Sequence, residues 1–413
     1  MTHLQEELFK LQDTVYRNFH SSLMPGVDKE AVIGVRTPVL RAFAKKFSKT
    51  EEAEQFMTEL PYKYYEENNL HMMLIAQIKD YNKCISETEK FLPHIDNWAT
   101  CDSPLPKCFD KQYFDVRVMI PKYLCIKESF RSEMKYVNHF YMDYLGQNRY
   151  VGILEYEYEG VTFYFIDNES YFWGDRPYGD WYYDLEKFSF FCKAALSSLP
   201  VIGFKPDVIH CHDWQTGLIP VHLKDKFHGG EFFRDIKSVM TIHNLKFQGV
   251  WDVKTIQHFS ELPDYYFTPD KLEAYKDGNM LKGGIVYADA ITTVSNTYAE
   301  EIKTPFYGEG LDGLMRARSN SLRGILNGID YDEFNPETDK RIVQNYNAKT
   351  FRKEKSKNKK ALQAELGLAQ DEKKFMIGIV SRLTDQKGLD LVQCVMDEIC
   401  TEDVQLVVLG TGD

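Results

Sequence analysis

The sequence contains no apolar run of the ~18 residues that a membrane span requires. Its first residues, MTHLQEEL, are polar and lack the apolar stretch of a secretory signal. Positively charged residues are also fewer than negatively charged ones: the sequence has 50 Lys and Arg and 62 Asp and Glu, which gives a net charge of −12. This balance argues against a general binder of nucleic acid or membrane surfaces. We therefore expect a cytoplasmic protein without a membrane partner.

Paired metal ligands are missing as well. The eight cysteines are scattered, none forms a CxxC pair, and no neighbouring His or Asp completes a zinc-finger spacing. Scattered cysteines of this kind are typical of reduced thiols in the cytosol. No acidic pair stands at metal-ligand spacing either. We predict no bound metal and no resident cofactor.

The chain changes character near residue 112. With 413 residues it is too long for one ordinary domain, and its 43% hydrophobic residues can fill substantial cores. Upstream of residue 112 the pattern is helical only, whereas downstream strands alternate with helices. We predict an all-α module over residues 1–112 followed by an α/β region.

Helical spacing dominates the first segment. Apolar residues recur every three or four positions at Leu4, Leu8, Leu11, Val15 and Phe19, which indicates one apolar helical face. Further helices are predicted to begin near Pro38 and Pro61 and to cover residues 84–92. A stack of short helices without strands is typical of a helical-repeat module.

Three motifs of this segment resemble the N-terminal half of HEAT-like DNA alkylation repair proteins. They are VIGVRTP at 32–38, YYEENNLH at 64–71 and DNW at 96–98 followed by Asp102. The resemblance implies that Trp98 and Asp102 would bracket a cationic damaged base, which an aromatic face and a carboxylate can do. A DNA-lesion binder is therefore one alternative function. A purely structural pair is the other, because residues 1–112 carry 14 Lys and Arg against 17 Asp and Glu, whereas a DNA groove is basic.

The segment from Asp207 to Trp251 is where we predict the chemistry. It contains two short apolar runs, in PDVIHCHDWQTGL and SVMTIHNLKFQG, and each stops at polar side chains. The residues between them have helical spacing, so the segment is predicted to be a βαβ unit. Ligands of such sheets bind beyond the carboxyl ends of the strands. His212, Asp213 and His243 lie there.

An aromatic loop at 171–181 precedes this unit, after a predicted hairpin over 151–167. The loop contains Trp173, Tyr178 and Trp181 beside Asp and Arg residues. Exposed aromatic rings with such neighbours suit the faces of sugar rings, whereas core packing is the competing interpretation. Further strands are predicted at 290–295, 322–330, 375–380 and 404–413.

From Phe114 to Asp413 these segments resemble bacterial glycogen synthase and starch synthase, retaining glucosyltransferases of GT-B architecture. The resemblance implies an α/β fold, an incomplete GT-B with two Rossmann-like domains, behind the all-α HEAT-like module. Residues 113–326 would form the first domain without its first βα unit, and 327–413 a linker and the truncated start of the second. It also implies glucose transfer from ADP-glucose, sometimes UDP-glucose, to the non-reducing end of an α-1,4-glucan.

The resemblance assigns roles to five residues. Asp213 and His243 would be catalytic, and Asn327 would lie at the hinge near the donor. Arg382 and Lys387 would bind the donor phosphates. These residue types suit the reaction, because breaking a sugar–diphosphate bond leaves negative charge that fixed cations stabilise.

Two family motifs have no counterpart in this sequence. The glycine-rich KxGGL loop, which would bind the donor phosphates, is missing, since no Gly-Gly pair occurs before Gly229. The catalytic glutamate of an ExCGL motif does not occur before Asp413. We therefore expect impaired transfer. A non-catalytic glucan binder that uses the 171–181 loop is a further alternative.

Overall fold

The computed structural model describes residues 2–22, 28–91, 94, 114–331 and 333–412. The chain divides into two compact units. Met1–Lys205 with Phe259–Glu261 forms the first, and Pro206–His258 with Leu262–Asp413 forms the second. The domain limits expected after residues 112 and 326 stay predictions.

The described residues up to 94 are helical, which confirms the all-α character predicted for this segment. The helices are α1 (His3–Lys10), α2 (Thr14–Ser22), α3 (Thr37–Phe47), α4 (Glu51–Phe56), α5 (Tyr65–Ile75) and α6 (Tyr81–Phe91). The single apolar face expected from Leu4 to Phe19 is wrong, because the chain breaks between α1 and α2 and leaves Val15 77% exposed. Asp13 accounts for the break, since its Oδ1 accepts the Tyr16 N–H at 2.9 Å and caps α2.

Two of the motifs that resemble alkylation repair proteins meet in the core of this helical module. The buried Glu66 carboxylate of α5 accepts the backbone N–H groups of Ile33, Gly34 and Val35 at 2.8, 2.6 and 3.1 Å. Gly34 has φ +95°, a conformation that favours glycine. These residues therefore have a structural role, holding the turn before α3 against α5.

A four-stranded sheet with the strand order β1-β4-β3-β2 completes the first unit. Its strands are β1 (Arg117–Pro121), β2 (Lys135–Tyr144), β3 (Gln147–Tyr158) and β4 (Val161–Asp167), and α7 (Glu128–Arg131) and α8 (Glu169–Phe172) lie between elements. The predicted hairpin is confirmed, since β3 and β4 pair antiparallel around a turn at Glu159–Gly160. Helix α9 (Trp181–Val201) packs on this sheet through Phe190, Phe191 and Ala194.

The second unit contains the predicted βαβ segment in a parallel sheet with the order β11-β10-β6-β5. Its strands are β5 (Val208–His212), β6 (Lys237–Ile242), β10 (Ala290–Thr293) and β11 (Leu322–Gly324), with α10 (Leu218–His222) between the first two. The strand expected over 322–330 ends at Gly324, because its last ladder bond runs from Ile325 N–H to Thr293 O. Ile329 is 63% exposed.

Helix α12 (Met280–Tyr287) packs closely against the start of α10, with backbone atoms in contact. A Cβ at Gly217 would lie 2.2 Å from the Met280 carbonyl oxygen. A Cβ at Gly284 would lie 2.4 Å from the Met240 side chain and 3.1 Å from Gly217 Cα. Glycine is therefore needed at both places for this packing.

The remaining elements of the second unit are short. They are β7 (Val250–Asp252), α11 (Val253–Ser260), β8 (Glu273–Ala274), β9 (Asp277–Asn279), α13 (Asn296–Glu301), α14 (Asp312–Ala317), α15 (Phe351–Glu365), β12 (Phe375–Val380), α16 (Leu389–Cys394), α17 (Met396–Ile399) and β13 (Val404–Leu409). Strands β12 and β13 pair in parallel, as expected for a second Rossmann-like sheet. No helix in the described part of the chain combines the length and apolar character of a membrane span.

Candidate active site

Asp213 and His243 come together at the carboxyl edge of the parallel sheet. Strand β5 ends at His212 and the neighbouring β6 ends at Ile242, so the next residue of each strand lies at the same edge. The Asp213 Oδ1 accepts the backbone N–H of His243 at 2.8 Å. The structure thus joins the two residues that the sequence placed beyond these strands.

Asp213 has an unusual backbone conformation, with φ 55° and ψ −171°. A residue with a Cβ is rarely found there, and such strain costs about 1–3 kcal/mol. Hydrogen bonds hold it in place: its N–H donates to Thr241 O at 2.9 Å, and its carboxylate accepts the His243 N–H at 2.8 Å. Burial raises the pKa of the Asp213 carboxyl. Backbone strain and a carboxyl with a shifted pKa are both common at functional sites, so they favour the catalytic role predicted for Asp213.

Histidines and threonines form a polar cluster beside Asp213. His212 Nδ1 lies 3.0 Å from His243 Nε2, and His210 Nε2 lies 2.5 Å from the Thr241 hydroxyl. Burial, followed by the neighbouring histidines, lowers the pKa of His212 to about 4. His212 is therefore neutral near pH 7 and can share a hydrogen bond with His243 without adding charge.

The loop after β6, residues 243–249, is fixed from several sides. Gln248 Nε2 donates to Leu245 O at 3.0 Å and to Glu309 O at 2.9 Å, and its Oε1 accepts Asn279 Nδ2 at 2.6 Å. The Leu245 N–H donates to the Tyr298 hydroxyl at 3.1 Å. Sequence reasoning missed these supports, although Gln248 stands inside the second motif of the βαβ unit.

The two predicted phosphate-binding cations follow β12. Arg382 comes two residues after the strand, Lys387 ends the short turn Asp385–Lys387, and both side chains are exposed. Asn244 Nδ2 donates to Gln386 Oε1 at 3.1 Å, so the turn with Lys387 contacts the loop that begins at His243.

No hydrogen bond in the described part of the chain connects Asn327 to the cluster around Asp213 and His243. Asn327 lies exposed in the irregular segment after β11. Within the described part of the chain its side chain bonds neither Asp213 nor His243. The hinge role that the resemblance implies for Asn327 stays a prediction.

The aromatic loop belongs to the first unit. Trp173 is 61% and Tyr178 54% exposed, so both rings are accessible. A buried ion pair anchors the loop: Lys187 Nζ donates to Asp184 Oδ1 at 2.5 Å and to Pro177 O at 2.6 Å. Trp181 begins α9, but its side chain lies outside the described residues.

The alkylation-repair pair, Trp98 and Asp102, also lies outside the described residues. Within the described ranges, no three His, Cys, Asp or Glu side chains cluster as metal ligands would.

The fold and this edge of the sheet define a GT-B type catalytic domain. Among solved structures the chain is similar to the catalytic domain of starch synthase IV from Arabidopsis thaliana bound to ADP and acarbose. The TM-score is 0.65 at 30% identity, covering 73% of this chain and 62% of the other.

The sequence comparisons are more specific. The model of the starch synthase catalytic domain matches residues 100–317, and the chain belongs to that family. It is 70% identical to a glycogen synthase of Lachnospira eligens over 309 residues, which cover 75% of this chain and 65% of that enzyme. It is 61% identical to a glycogen synthase of Lachnoclostridium phytofermentans over 327 residues, or 79% and 68% of the two chains. The chain thus spans about two thirds of the length of these relatives.

A second family model, the DNA alkylation repair enzyme, matches residues 4–122. The resemblance read from the helical motifs is thereby confirmed at the level of family. The two matches overlap over residues 100–122, which includes the boundary expected after residue 112.

Proposed function

We propose that the α/β part of the chain transfers glucose from ADP-glucose to the non-reducing end of an α-1,4-glucan. The observation that carries this proposal is the Asp213–His243 pair at the carboxyl edge of a parallel sheet, in a chain 70% identical to a glycogen synthase. ADP and acarbose in the similar starch synthase support a nucleotide sugar and a glucan as the two substrates. We also propose a cytoplasmic location, because nucleotide sugars are metabolites of that compartment.

Each residue has a defined task in the proposed transfer. The bond between the glucose C1 and a phosphate oxygen breaks, and Arg382 and Lys387 offset the negative charge left on the diphosphate. The Asp213 carboxylate accepts backbone N–H groups of His243 and Asn244, and its remaining lone pairs can accept a sugar hydroxyl. Trp173 and Tyr178 would offer aromatic faces to the glucan.

We further propose that donor binding is weak. No pair of adjacent glycines occurs in residues 1–116, upstream of β1. This segment therefore offers no glycine-rich turn of the kind that binds phosphates. The cations after β12 would then carry donor binding without backbone support, and transfer would be slow.

The proposal is tested by ADP release from ADP-glucose with glycogen as acceptor. We expect a low rate that Asp213→Asn reduces by a further ~100-fold. Lys355→Ala, which removes an exposed cation of α15, should leave the rate unchanged. If ADP release is below detection, calorimetry with ADP should show binding that Arg382→Ala and Lys387→Ala weaken and Lys355→Ala does not. A polypeptide that neither releases nor binds ADP would disprove the assignment.

We do not assign DNA binding to the helical module. Its net charge is negative, and the Glu66 motif that carries much of the resemblance has a structural task.

A further inference from the structure

The second unit contains a cavity that the proposed transfer does not use. Its volume is about 530 Å³, and it lies between residues 269–275, Lys282 and residues 310–317. Small-molecule pockets commonly have volumes of ~300–1,000 Å³. The five residues assigned to transfer, Asp213, His243, Asn327, Arg382 and Lys387, do not line it.

Tyr275 lies at the rim of this cavity in a strained turn. Tyr275 has φ 54° and Lys276 has φ 75°, between strands β8 and β9. Hairpin turns with two positive φ values normally contain Asn, Asp or Gly, so a tyrosine there is costly. Backbone strain of this kind tends to occur where a side chain has a task.

The ring of Tyr275 is exposed and yet held in position. Its side chain is 78% accessible, while its hydroxyl donates to the Gly310 carbonyl at 2.9 Å. Gly310 lies close to the hydroxyl end of the ring, since a Cβ there would be 2.9 Å from Tyr275 Cε2 and 3.1 Å from the hydroxyl oxygen. An aromatic face fixed in this way can bind a flat ligand without losing side-chain entropy.

A buried lysine shapes the opposite wall. Lys282 is 8% exposed, and its ammonium donates to the carbonyls of Pro269 and Glu273. Burial lowers the pKa of Lys282. The nearby carboxylates of Glu273 and Asp270 raise it, but by less than burial lowers it. The lysine thus fixes the segment from Pro269 to Glu273 as a preformed wall.

The lining selects a class of ligand. Two carboxylates, Asp270 and Glu273, outnumber the one ammonium of Lys282, so a phosphate or nucleotide would be repelled. Carboxylates accept strong hydrogen bonds from hydroxyl groups. Leu311 and Leu314 add apolar surface next to the ring of Tyr275. A sugar has both matching features: hydroxyl groups that donate to the carboxylates, and an apolar ring face that can pack on Tyr275.

We propose that this Tyr275 cavity binds the α-glucan as a second holding site, apart from the transfer site. The choice of α-glucan among sugars rests on the proposed function, whereas the aromatic face and the acidic lining do not. A glucan bound at this second site would keep its chain ends near Asp213 between turnovers.

Binding of maltoheptaose to the full chain, measured by calorimetry, tests this proposal. Tyr275→Asn removes the ring but suits the positive φ, so the fold should persist. We expect its Kd to rise at least ~10-fold, in line with 1.4 kcal/mol per factor of ten. Ala317→Trp, at the exposed end of α14, should have the same effect by filling the cavity. Tyr275→Phe retains the ring but loses the hydroxyl that holds it, so we expect an affinity between those of the wild type and Tyr275→Asn.

Two controls separate this site from the others. Trp173→Ala removes the exposed ring of the aromatic loop, and Asp213→Asn alters only the transfer site. Wild-type affinity in both Tyr275→Asn and Ala317→Trp would overturn the proposal, as would loss of all binding on Trp173→Ala alone. A chain that binds ADP but no maltoheptaose also overturns it and leaves the proposed function standing. A chain that binds maltoheptaose through Tyr275 without releasing or binding ADP supports the cavity while the transfer assignment fails.

Discussion

Lys187 and Asp184 form a buried ion pair, with side chains 4% and 7% exposed. The Asp184 carboxylate also accepts the Gly179 N–H at 3.0 Å, so the pair connects α9 to the aromatic loop. Removing one partner of a buried pair leaves the other charge without compensation. The position of Trp173 and Tyr178 therefore depends on a contact to which neither ring contributes.

Lys187→Met is expected to destabilise the first unit by about 3–5 kcal/mol, because Asp184 would remain buried and unpaired. Lys10→Met is the matched control: Lys10 pairs with Glu7 at 2.5 Å, but its side chain is 68% exposed. An exposed pair contributes little to stability, because water and salt screen the two charges. Urea unfolding of both variants checks the difference, and equal losses would show that burial does not set the value of the pair.

His71 makes the helical module sensitive to acid. The ring is 1% exposed, stacks on Phe91 with centroids 4.1 Å apart and bonds the Tyr62 hydroxyl through Nδ1 at 2.6 Å. Burial lowers the pKa of His71 from 6.5 to about 4. Between these values the unfolded chain binds the proton and the folded chain does not, so stability falls as the pH falls.

We expect the module to lose stability, on the order of 2–3 kcal/mol at most, as the pH falls from about 6.5 to about 4. His71→Phe removes the titrating group and should make this fall smaller, whatever its own cost at pH 7. Hydrogen exchange of the α5 amides at both pH values, in wild type and variant, measures the effect. The same pH dependence in the two proteins would contradict it.

At the scale of elements, the contact between α10 and α12 depends on glycine. Gly217 has φ −60°, so its backbone alone would tolerate alanine. The obstacle is the Met280 carbonyl, 2.2 Å from where a Cβ would lie, and a backbone atom of a helix cannot turn aside as a side chain can.

Gly217→Ala is expected to cost about 2–3 kcal/mol, because α12 must shift away from the sheet. Gly229→Ala is the control, since nothing lies within 4 Å of the added Cβ and its φ is not positive. That change should be neutral or stabilise by up to ~1 kcal/mol, through the unfolded chain. Thermal unfolding compares the two, and a neutral Gly217→Ala would show that this helix packing is not tight.

Elements with strong local patterns were predictable from the sequence. The β3–β4 hairpin, strand β12 and helix α3 follow from alternation, turn residues and a proline at a helix start. Predictions from apolar spacing failed where another interaction ends an element. Asp13 caps α2 and so divides the single apolar helical face expected from Leu4 to Phe19, and pairing with the short, distant strand β10 limits β11 to Leu322–Gly324.

The same division holds for the candidate site. Asp213 and His243 could be located because parallel strands bring their next residues to one edge of the sheet. Asn279, Tyr298 and Glu309 support the loop from three separate parts of the chain, and no local pattern identifies such partners. The strain at Asp213 is likewise a property of the folded backbone.

At the scale of the whole molecule, charge sets the choice of partner. The chain carries a net charge of −12, and a cavity of about 320 Å³ in the helical module is lined by three carboxylates, Glu52, Glu59 and Glu67, and one ammonium, Lys63. DNA binding relies on cations that neutralise phosphates, and this surface offers carboxylates.

We therefore expect no shift of an alkylated duplex by the full chain at 50 mM salt and micromolar protein. The gel should include a basic DNA-binding protein on the same probe as a positive control. A shift that weakens steeply between 50 and 200 mM salt would contradict this expectation and restore the lesion-binding function.

The hydrogen bond between Asn244 and Gln386 has a thermodynamic consequence. It joins the loop that starts at His243 to the turn that ends at Lys387. A ligand that displaces one of these segments would alter the free energy of the other, so we expect binding at the two predicted positions, Lys387 and His243, to be energetically coupled. Such coupling is reciprocal: if a diphosphate at Lys387 tightens sugar binding at His243 by some factor, sugar tightens diphosphate binding by the same factor.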